Sequence, residues 1–272
     1  MKMKYFMKNK TLLLIFSSFL ILCACTTSPT GRRQLKLYPA DQMNEMGIQA
    51  FDSMKDEQKV STAKVENKFV QCVAGLVAQQ VPDSVYSGKW EVVVFDDEQV
   101  NAFALPGGKI GVYTGLLNVT ENQHQLAAVI GHEVGHVIAG HSNERMSNST
   151  LIGIGMEATD QLLKANKVAY NAGIMAALGF GTQVGIQLPF SRTHESEADI
   201  IGLDLMAKAG FDPEQSVNLW QNMEKASYGQ RQPELLSTHP SPQSRIKDLQ
   251  QHMSQAKALQ SSSQQHPNCT KG

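Results

Sequence analysis

Apolar residues recur at helical spacing over most of this chain, and strand-like patterning is confined to one short interval. The spacing predicts helices near 41–56 and 61–81, then a long one over 121–149, where no proline interrupts the pattern. A further helix runs from about Ser191 to Ala209, and Glu214 to Lys225 and Pro242 to Ala256 are the last such segments. Trp90 to Phe95 reads as a strand with Val92, Val93 and Val94 at its centre. Phe103–Leu105 and Lys109–Tyr113 flank Pro106-Gly107-Gly108, a turn signal, and so read as a hairpin. The expected class is therefore α+β, mainly helical, with a small sheet. Residues 25–40, with Pro29, Gly31 and Pro39, read as a tether, 41–256 as one domain and 257–272 as a polar tail, mobile unless Cys269 ties it down.

The 121–149 helix reads as mostly buried yet carries His132-Glu133-Val134-Gly135-His136. Histidines four apart project from nearly one face, so both imidazoles can grip one metal ion. Glu133 then stands beside the open coordination position, where a general base must be if water is to attack a peptide carbonyl. A catalytic zinc needs a third protein ligand. His141 is unsuited, because on a continuous helix it lies about 180° around from His132 at 100° per residue. It reads instead as a surface histidine or one that supports a ligand. Glu195 is the better candidate. It stands four residues before Asp199, so one carboxylate can bind metal while the other accepts a hydrogen bond from a ligand histidine. Glu197, two residues on, is expected to point elsewhere into solvent.

Together the two segments resemble the zinc metallopeptidase family that includes the CaaX prenyl protease, HtpX, BepA and LoiP. That family pairs His-Glu-x-x-His with a downstream Glu-x-x-x-Asp. Asn101–Ile110 and Thr238–Ile246 resemble it too, and the likeness spans about 40–255 in the family's order. The resemblance implies a gluzincin-type domain with a small sheet or hairpin beside the active-site helix. It implies one Zn2+ per chain held by His132, His136 and Glu195, with Glu133 as base and Asp199 behind a ligand histidine. By the same resemblance His239 stabilises the oxyanion, or fills the open zinc position and keeps the enzyme inactive. Arg245 steadies that loop or pairs with a carboxylate. The hairpin, at Asn101, Ala102 and Phe103, is the candidate edge for an extended substrate.

Composition and the N-terminus bear on location. Lys2, Lys4, Lys8 and Lys10 precede an apolar run from Thr11 to Leu22, too short for a permanent span. Leu22-Cys23-Ala24-Cys25 resembles a bacterial lipobox, which implies cleavage of a signal peptide, 1–24, and lipid on Cys25. Thr26, rather than aspartate, follows, which by resemblance to lipoprotein sorting favours the outer membrane, facing the periplasm. Removing those four lysines, with no acids, moves the net charge from −1 to −5 and argues against nucleic acid as partner. An oxidising compartment permits a disulfide between Cys72 and Cys269. Residues 173–190 are apolar but hold Gln183, Gln187 and four glycines, which disfavours a membrane span and suggests a pliable lid or a helix pair on the cleft. Nothing reads as the helical-repeat domain of BepA, so the stand-alone LoiP type is expected. The expected substrates are unfolded or misassembled envelope polypeptides, with outer-membrane proteins as candidate partners. The rival reading is a non-proteolytic chaperone or assembly scaffold whose zinc is structural or autoinhibitory.

Overall fold

The computed structural model describes residues 25–165, 188–227, 235, 239 and 242–271. The expected signal peptide and most of the 173–190 segment lie outside them. Two compact units form.

The smaller unit, 25–39 with 142–165, is not the loose tether expected from sequence. Strands β1 (Cys25–Thr27) and β2 (Arg33–Leu35) pair antiparallel, Thr26 opposite Gln34. Gly31 takes the left-handed conformation at φ 90° in the turn between them. Arg32 donates through both terminal nitrogens to the buried Glu144, at 2.7 and 2.6 Å. Tyr38 N–H donates to Asn143 at 3.3 Å, and the Tyr38 hydroxyl bonds Thr150 at 2.7 Å. These side-chain bonds, which the hydropathy pattern does not encode, hold the segment in place.

The larger unit is organised around a three-stranded sheet. β3 (Glu91–Phe95), β4 (Ala102–Leu105) and β5 (Lys109–Tyr113) lie in the order β3-β5-β4, with β3 parallel and β4 antiparallel to β5. Alternation of side chains splits its residues between two faces. Phe95, Phe103 and Tyr113 meet Phe51 of α1 (Ala40–Glu57) on one face. Val94, Ala102, Ile110 and Val112 meet the core on the other. That core contains Phe69, Val70, Val73 and Val77 of α2 (Lys64–Ala78). The hairpin turn needs positive φ at Gly107 and Gly108, 84° and 69°, as the Pro-Gly-Gly signal requires.

After α3 (Thr114–Val119) comes α4 (Gln123–Ala139), the helix that carries the histidine pair. Asn122 caps it, its side chain accepting from the N–H groups of His124 and Gln125 at 3.0 Å each. The long helix expected over 121–149 is broken at Gly140. This residue is left-handed (φ 71°), and α5 (His141–Ala165) starts anew after it. Beyond the undescribed segment lie α6 (Leu188–Lys208), α7 (Gln215–Ser227) and α8 (Pro242–Ser262). Among the described residues no helix is long and apolar enough to cross a membrane.

The tail follows the second of the two expected courses, in which Cys269 ties it down. α8 continues to Ser262, and Cys269 is buried in a disulfide with Cys72 of α2. Gln123 adds a bond from its Nε2 to the Pro267 carbonyl at 3.0 Å and accepts from Cys269 N–H at 2.7 Å. Lys271 donates to the Thr120 carbonyl at 2.7 Å.

α4 and α6 touch backbone to backbone. A Cβ on Gly202 would lie 2.6 Å from both the Gly131 carbon and the His132 nitrogen, and one on Gly135 would lie 2.7 Å from the Ala198 oxygen. Gly202→Ala gains about 1 kcal/mol of helix propensity, but the clash is with backbone that cannot step aside. The expected net effect is a loss of about 1–2 kcal/mol in urea unfolding. Gly75→Ala in α2, where a Cβ meets nothing within 4 Å, should instead be neutral or gain up to about 1 kcal/mol. Equal effects at the two positions would show that close approach does not set the helix pair. Removing the disulfide as the double Cys72→Ser, Cys269→Ser variant opens a 197-residue separation and should cost roughly 2–5 kcal/mol in the same assay.

Candidate metal centre

The four side chains that converge on one point come from α4, α6 and the stretch between α7 and α8. A nitrogen of each of His132, His136 and His239 and a carboxylate oxygen of Glu195 all lie within 4.8 Å of one another. The Nε2 atoms of His132 and His136 are 3.1 Å apart. Glu195 brings its oxygens within 3.2 Å of His132 Nε2 and 3.4 Å of His136 Nε2. His239 Nδ1 is 2.7 Å from Glu195 Oε2 and 3.2 Å from His132 Nε2. Ligands about 2.0–2.1 Å from a tetrahedral zinc are separated by roughly 3.3 Å, so these edges suit one small cation.

Asp199 and Arg245 support this cluster from behind. His132 donates through Nδ1 to Asp199 Oδ1 at 2.9 Å, which turns its Nε2 toward the cluster. Arg245, at the start of α8, donates to Asp199 with Nε at 2.7 Å and Nη2 at 2.6 Å. It also bonds the His239 carbonyl through Nη1 at 3.3 Å. Its guanidinium lies 3.7 Å from the centre of the Trp220 ring, and the whole side chain is buried. Arg245 therefore both pairs with a carboxylate and fastens the histidine that follows α7.

Charge at the site is regulated by burial and neighbours. Burial opposes ionisation of Glu195, but hydrogen bonds from His132 and His239 outweigh it and hold the carboxyl far below its ordinary range. Burial also opposes charge on Asp199, and the Arg245 guanidinium more than offsets it, so this carboxyl too sits below its usual value. Burial and Arg245 push His132 down, whereas Asp199 and Glu195 push harder the other way and raise it to about 9. His136 is driven well below its usual value by burial and by His132 beside it, and is neutral. The pocket thus favours positive charge at the point where the donor atoms meet.

Glu133 is buried in the same place, and its Oε1 has no hydrogen-bond partner among the described residues. His239 Nε2 stands 3.6 Å from it. A buried, unpaired carboxylate oxygen is costly unless something polar completes it. A metal with an exchangeable water would do so. The residues present, three imidazoles and a carboxylate, therefore fit a zinc ion.

Sequence reasoning placed Glu197 wrongly, and it kept open that His141 supports a ligand while placing it by the wrong geometry. Glu197 is not solvated; it is 3% exposed, with Oε2 3.0 Å from His141 Nε2. His141 is not on the far side of a helix. The break at Gly140 turns the chain so that the His141 ring, fully buried, reaches His136 at 2.8 Å between Nδ1 atoms. The sequence signal was the glycine between two helical patterns. Trp220, under the Arg245 guanidinium, was missed and carries no distinguishing pattern. Of the candidate edge, Ala102 and Phe103 stand in β4 and Asn101 immediately precedes it. Among the described residues β4 pairs with β5 alone and packs along α4. Val100, just before, accepts from Leu235 N–H at 3.1 Å. Cys25 begins β1.

A histidine pair on α4 and a carboxylate from α6, with a glutamate beside them whose Oε1 has no hydrogen-bond partner among the described residues, define a metal-dependent hydrolase centre of the His-Glu-x-x-His class. The chain belongs to peptidase family M48, whose model matches residues 62–253. It is 32% identical to the mitochondrial metalloendopeptidase OMA1 of Danio rerio over 94% of this chain and 56% of that protein. Its identity to OMA1 of Arabidopsis thaliana is 35%, over 78% of this chain and 40% of the relative. The β-barrel assembly-enhancing protease of Yersinia pestis is 34% identical over 62% of this chain and 36% of the relative. The chain spans about half the length of the curated relatives it matches.

Replacing Arg245 by methionine would leave Asp199 ionised and buried without its partner. The expected loss is about 3–5 kcal/mol in unfolding of the chelator-treated protein. A loss below about 1 kcal/mol would mean that Asp199 is compensated in another way.

Proposed function

We propose that this chain is a zinc metalloendopeptidase, anchored by lipid on Cys25 to the outer membrane and facing the periplasm. We take its substrates to be unfolded or misassembled envelope polypeptides. The observation that carries the catalytic reading is the buried Glu133 oxygen, without a hydrogen-bond partner among the described residues, beside four converging donor atoms. A structural metal site needs no such group.

In this reading His132, His136 and Glu195 hold the metal. Zinc, when bound, polarises the scissile carbonyl and lowers the pKa of an attacking water. Glu133 takes the proton of that water through Oε1 and returns it to the leaving amine. Asp199, fixed by Arg245, holds the His132 ring so that Nδ1 donates and Nε2 stays turned to the metal. His239 contributes the fourth donor of the cluster. It would either join the other three on a bound metal and keep the enzyme inactive, or donate its N–H to the developing oxyanion. A substrate strand added along β4 at Asn101–Phe103 would be held through its backbone, whatever its side chains.

Location and substrate rest on different support. The lysine-rich, apolar start and the Leu22-Cys23-Ala24-Cys25 pattern argue for a lipoprotein of the envelope. The relatives whose name denotes β-barrel assembly make outer-membrane proteins the natural clients or partners. The place of His239 also favours a second reading, an assembly scaffold whose zinc is held closed. Glu133 separates the two, since a scaffold has no use for a base.

Glu133→Gln should bind one zinc per chain as the unaltered protein does, yet lower casein cleavage by at least about a hundredfold. A chelator should abolish cleavage by the unaltered protein, and zinc should restore it. Undiminished cleavage by Glu133→Gln would remove Glu133 from the chemistry. A zinc-loaded protein that binds casein and never cuts it would favour the scaffold.

A further inference from the structure

His132 and His136 are supported by opposite means. Behind His132 stands an ionic pair, Asp199 with Arg245. Behind His136 stands another imidazole, that of His141, with Nδ1 facing Nδ1 at 2.8 Å. Two nitrogens at that distance must share one hydrogen, so one donates and the other accepts. Glu197 decides which. Its Oε2 is 3.0 Å from His141 Nε2, and a carboxylate only accepts, so that nitrogen carries a hydrogen. In the neutral tautomer that this hydrogen bond selects, His141 accepts at Nδ1, and His136 is the donor across the 2.8 Å contact. With its hydrogen on Nδ1, the neutral His136 ring leaves the Nε2 lone pair directed at the cluster.

We infer that His141, oriented by Glu197, is a positioning residue that fixes the tautomer and ring angle of His136 for metal binding. This rests on the reading of His136 as a metal ligand. The arrangement is built into the fold. The left-handed turn at Gly140 ends α4 directly after the pair, so that the first residue of α5 returns to His136. The His141 ring is stacked on His194, centroids 4.2 Å apart and planes within 22°, which fixes its rotation. His141 and Glu197 are 0% and 3% exposed, so water does not compete for either hydrogen bond. His194 and Glu197 lie on α6, the helix that supplies Glu195 and Asp199. One helix thus contributes the carboxylate ligand and a supporting carboxylate for each histidine.

The test uses the full-length protein in detergent, with zinc affinity measured by competition against a chromophoric chelator. The visible absorption of cobalt(II) in place of zinc reports ligand geometry in the same samples. His141→Phe keeps a ring against His194 and removes the acceptor; it should weaken zinc binding ten- to a hundredfold and alter the cobalt spectrum. His141→Asn restores an acceptor and should recover at least threefold of that loss. Glu197→Gln retains the geometry but can present a donor to His141, and should weaken zinc binding by an intermediate factor; it also answers the question should His141→Phe not fold. Wild-type affinity and spectrum in His141→Phe, or in Glu197→Gln where the first cannot be prepared, overturn the inference. So does an asparagine variant as weak as the phenylalanine one. His136→Ala is the control. If it binds zinc normally, the ligand reading itself fails; if it loses zinc while the His141 and Glu197 variants do not, only the positioning role fails.

Discussion

The close crossing of α4 and α6 is the constraint on which the site depends. Helix axes usually stand 8–10 Å apart, at a distance set by the side chains between them. Here glycines remove those side chains at Gly131, Gly135 and Gly202, and the backbones meet. Only then can short side chains, two imidazoles from one helix and a glutamate from the other, reach the same point without stretched rotamers. The apolar flanks of α4, Leu126, Ile130 and Val134 among them, are wholly buried and keep the crossing rigid. The donor atoms are thus pre-placed before a metal arrives, so little ordering is left for binding to accomplish.

Pre-placement creates an electrostatic problem that the rest of the site answers. Glu133, Glu195, Glu197 and Asp199 are all at most 6% exposed. Buried carboxylates are tolerated only when paired and hydrogen-bonded. Asp199 takes the buried Arg245, and Glu197 takes a histidine N–H. Glu195 relies on His132 and His239, and Glu133 Oε1 is left without a hydrogen-bond partner among the described residues. A divalent cation adds the missing positive charge at the point where those two glutamates and three imidazoles meet. The same excess of negative charge explains why, without it, His132 holds a proton up to about 9.

What could be read from the sequence follows from how local each signal is. The His-Glu-x-x-His and Glu-x-x-x-Asp spacings are periodicities within single helices, and so the two faces and their residues were legible. The strand of valines and the Pro-Gly-Gly hairpin were legible for the same reason, and the observed β3, β4 and β5 lie within a residue of the expected bounds. Glu197 and His141 were not, because their positions depend on one left-handed residue that periodicity treats as a tolerable helix glycine. Counting 100° per residue past Gly140 carried His141 to the wrong side. The 25–40 segment misled in the opposite sense. Its proline and glycine content looks like a linker, but Arg32 and Tyr38 bond to residues more than a hundred positions away. For the tail, Ser and Gln composition gave only the mobile alternative, and it was the two cysteines that pointed to the disulfide which ties it down.

Burial of the centre also bears on what such an enzyme could accept. His132, Glu133 and His136 are 4–6% exposed, so the chemistry sits below the surface rather than on it. A peptide bond inside a folded domain cannot be brought to such a depth without carrying its own secondary structure along. An extended segment can, if it first gives its backbone hydrogen bonds to a strand that runs beside the metal helix. In the proposed reading β4 would be that strand, since it packs along α4 and is paired on one side only among the described residues. An endopeptidase built this way would select by accessibility of the chain rather than by residue type. That is the selectivity expected of an enzyme that removes polypeptides which have failed to fold.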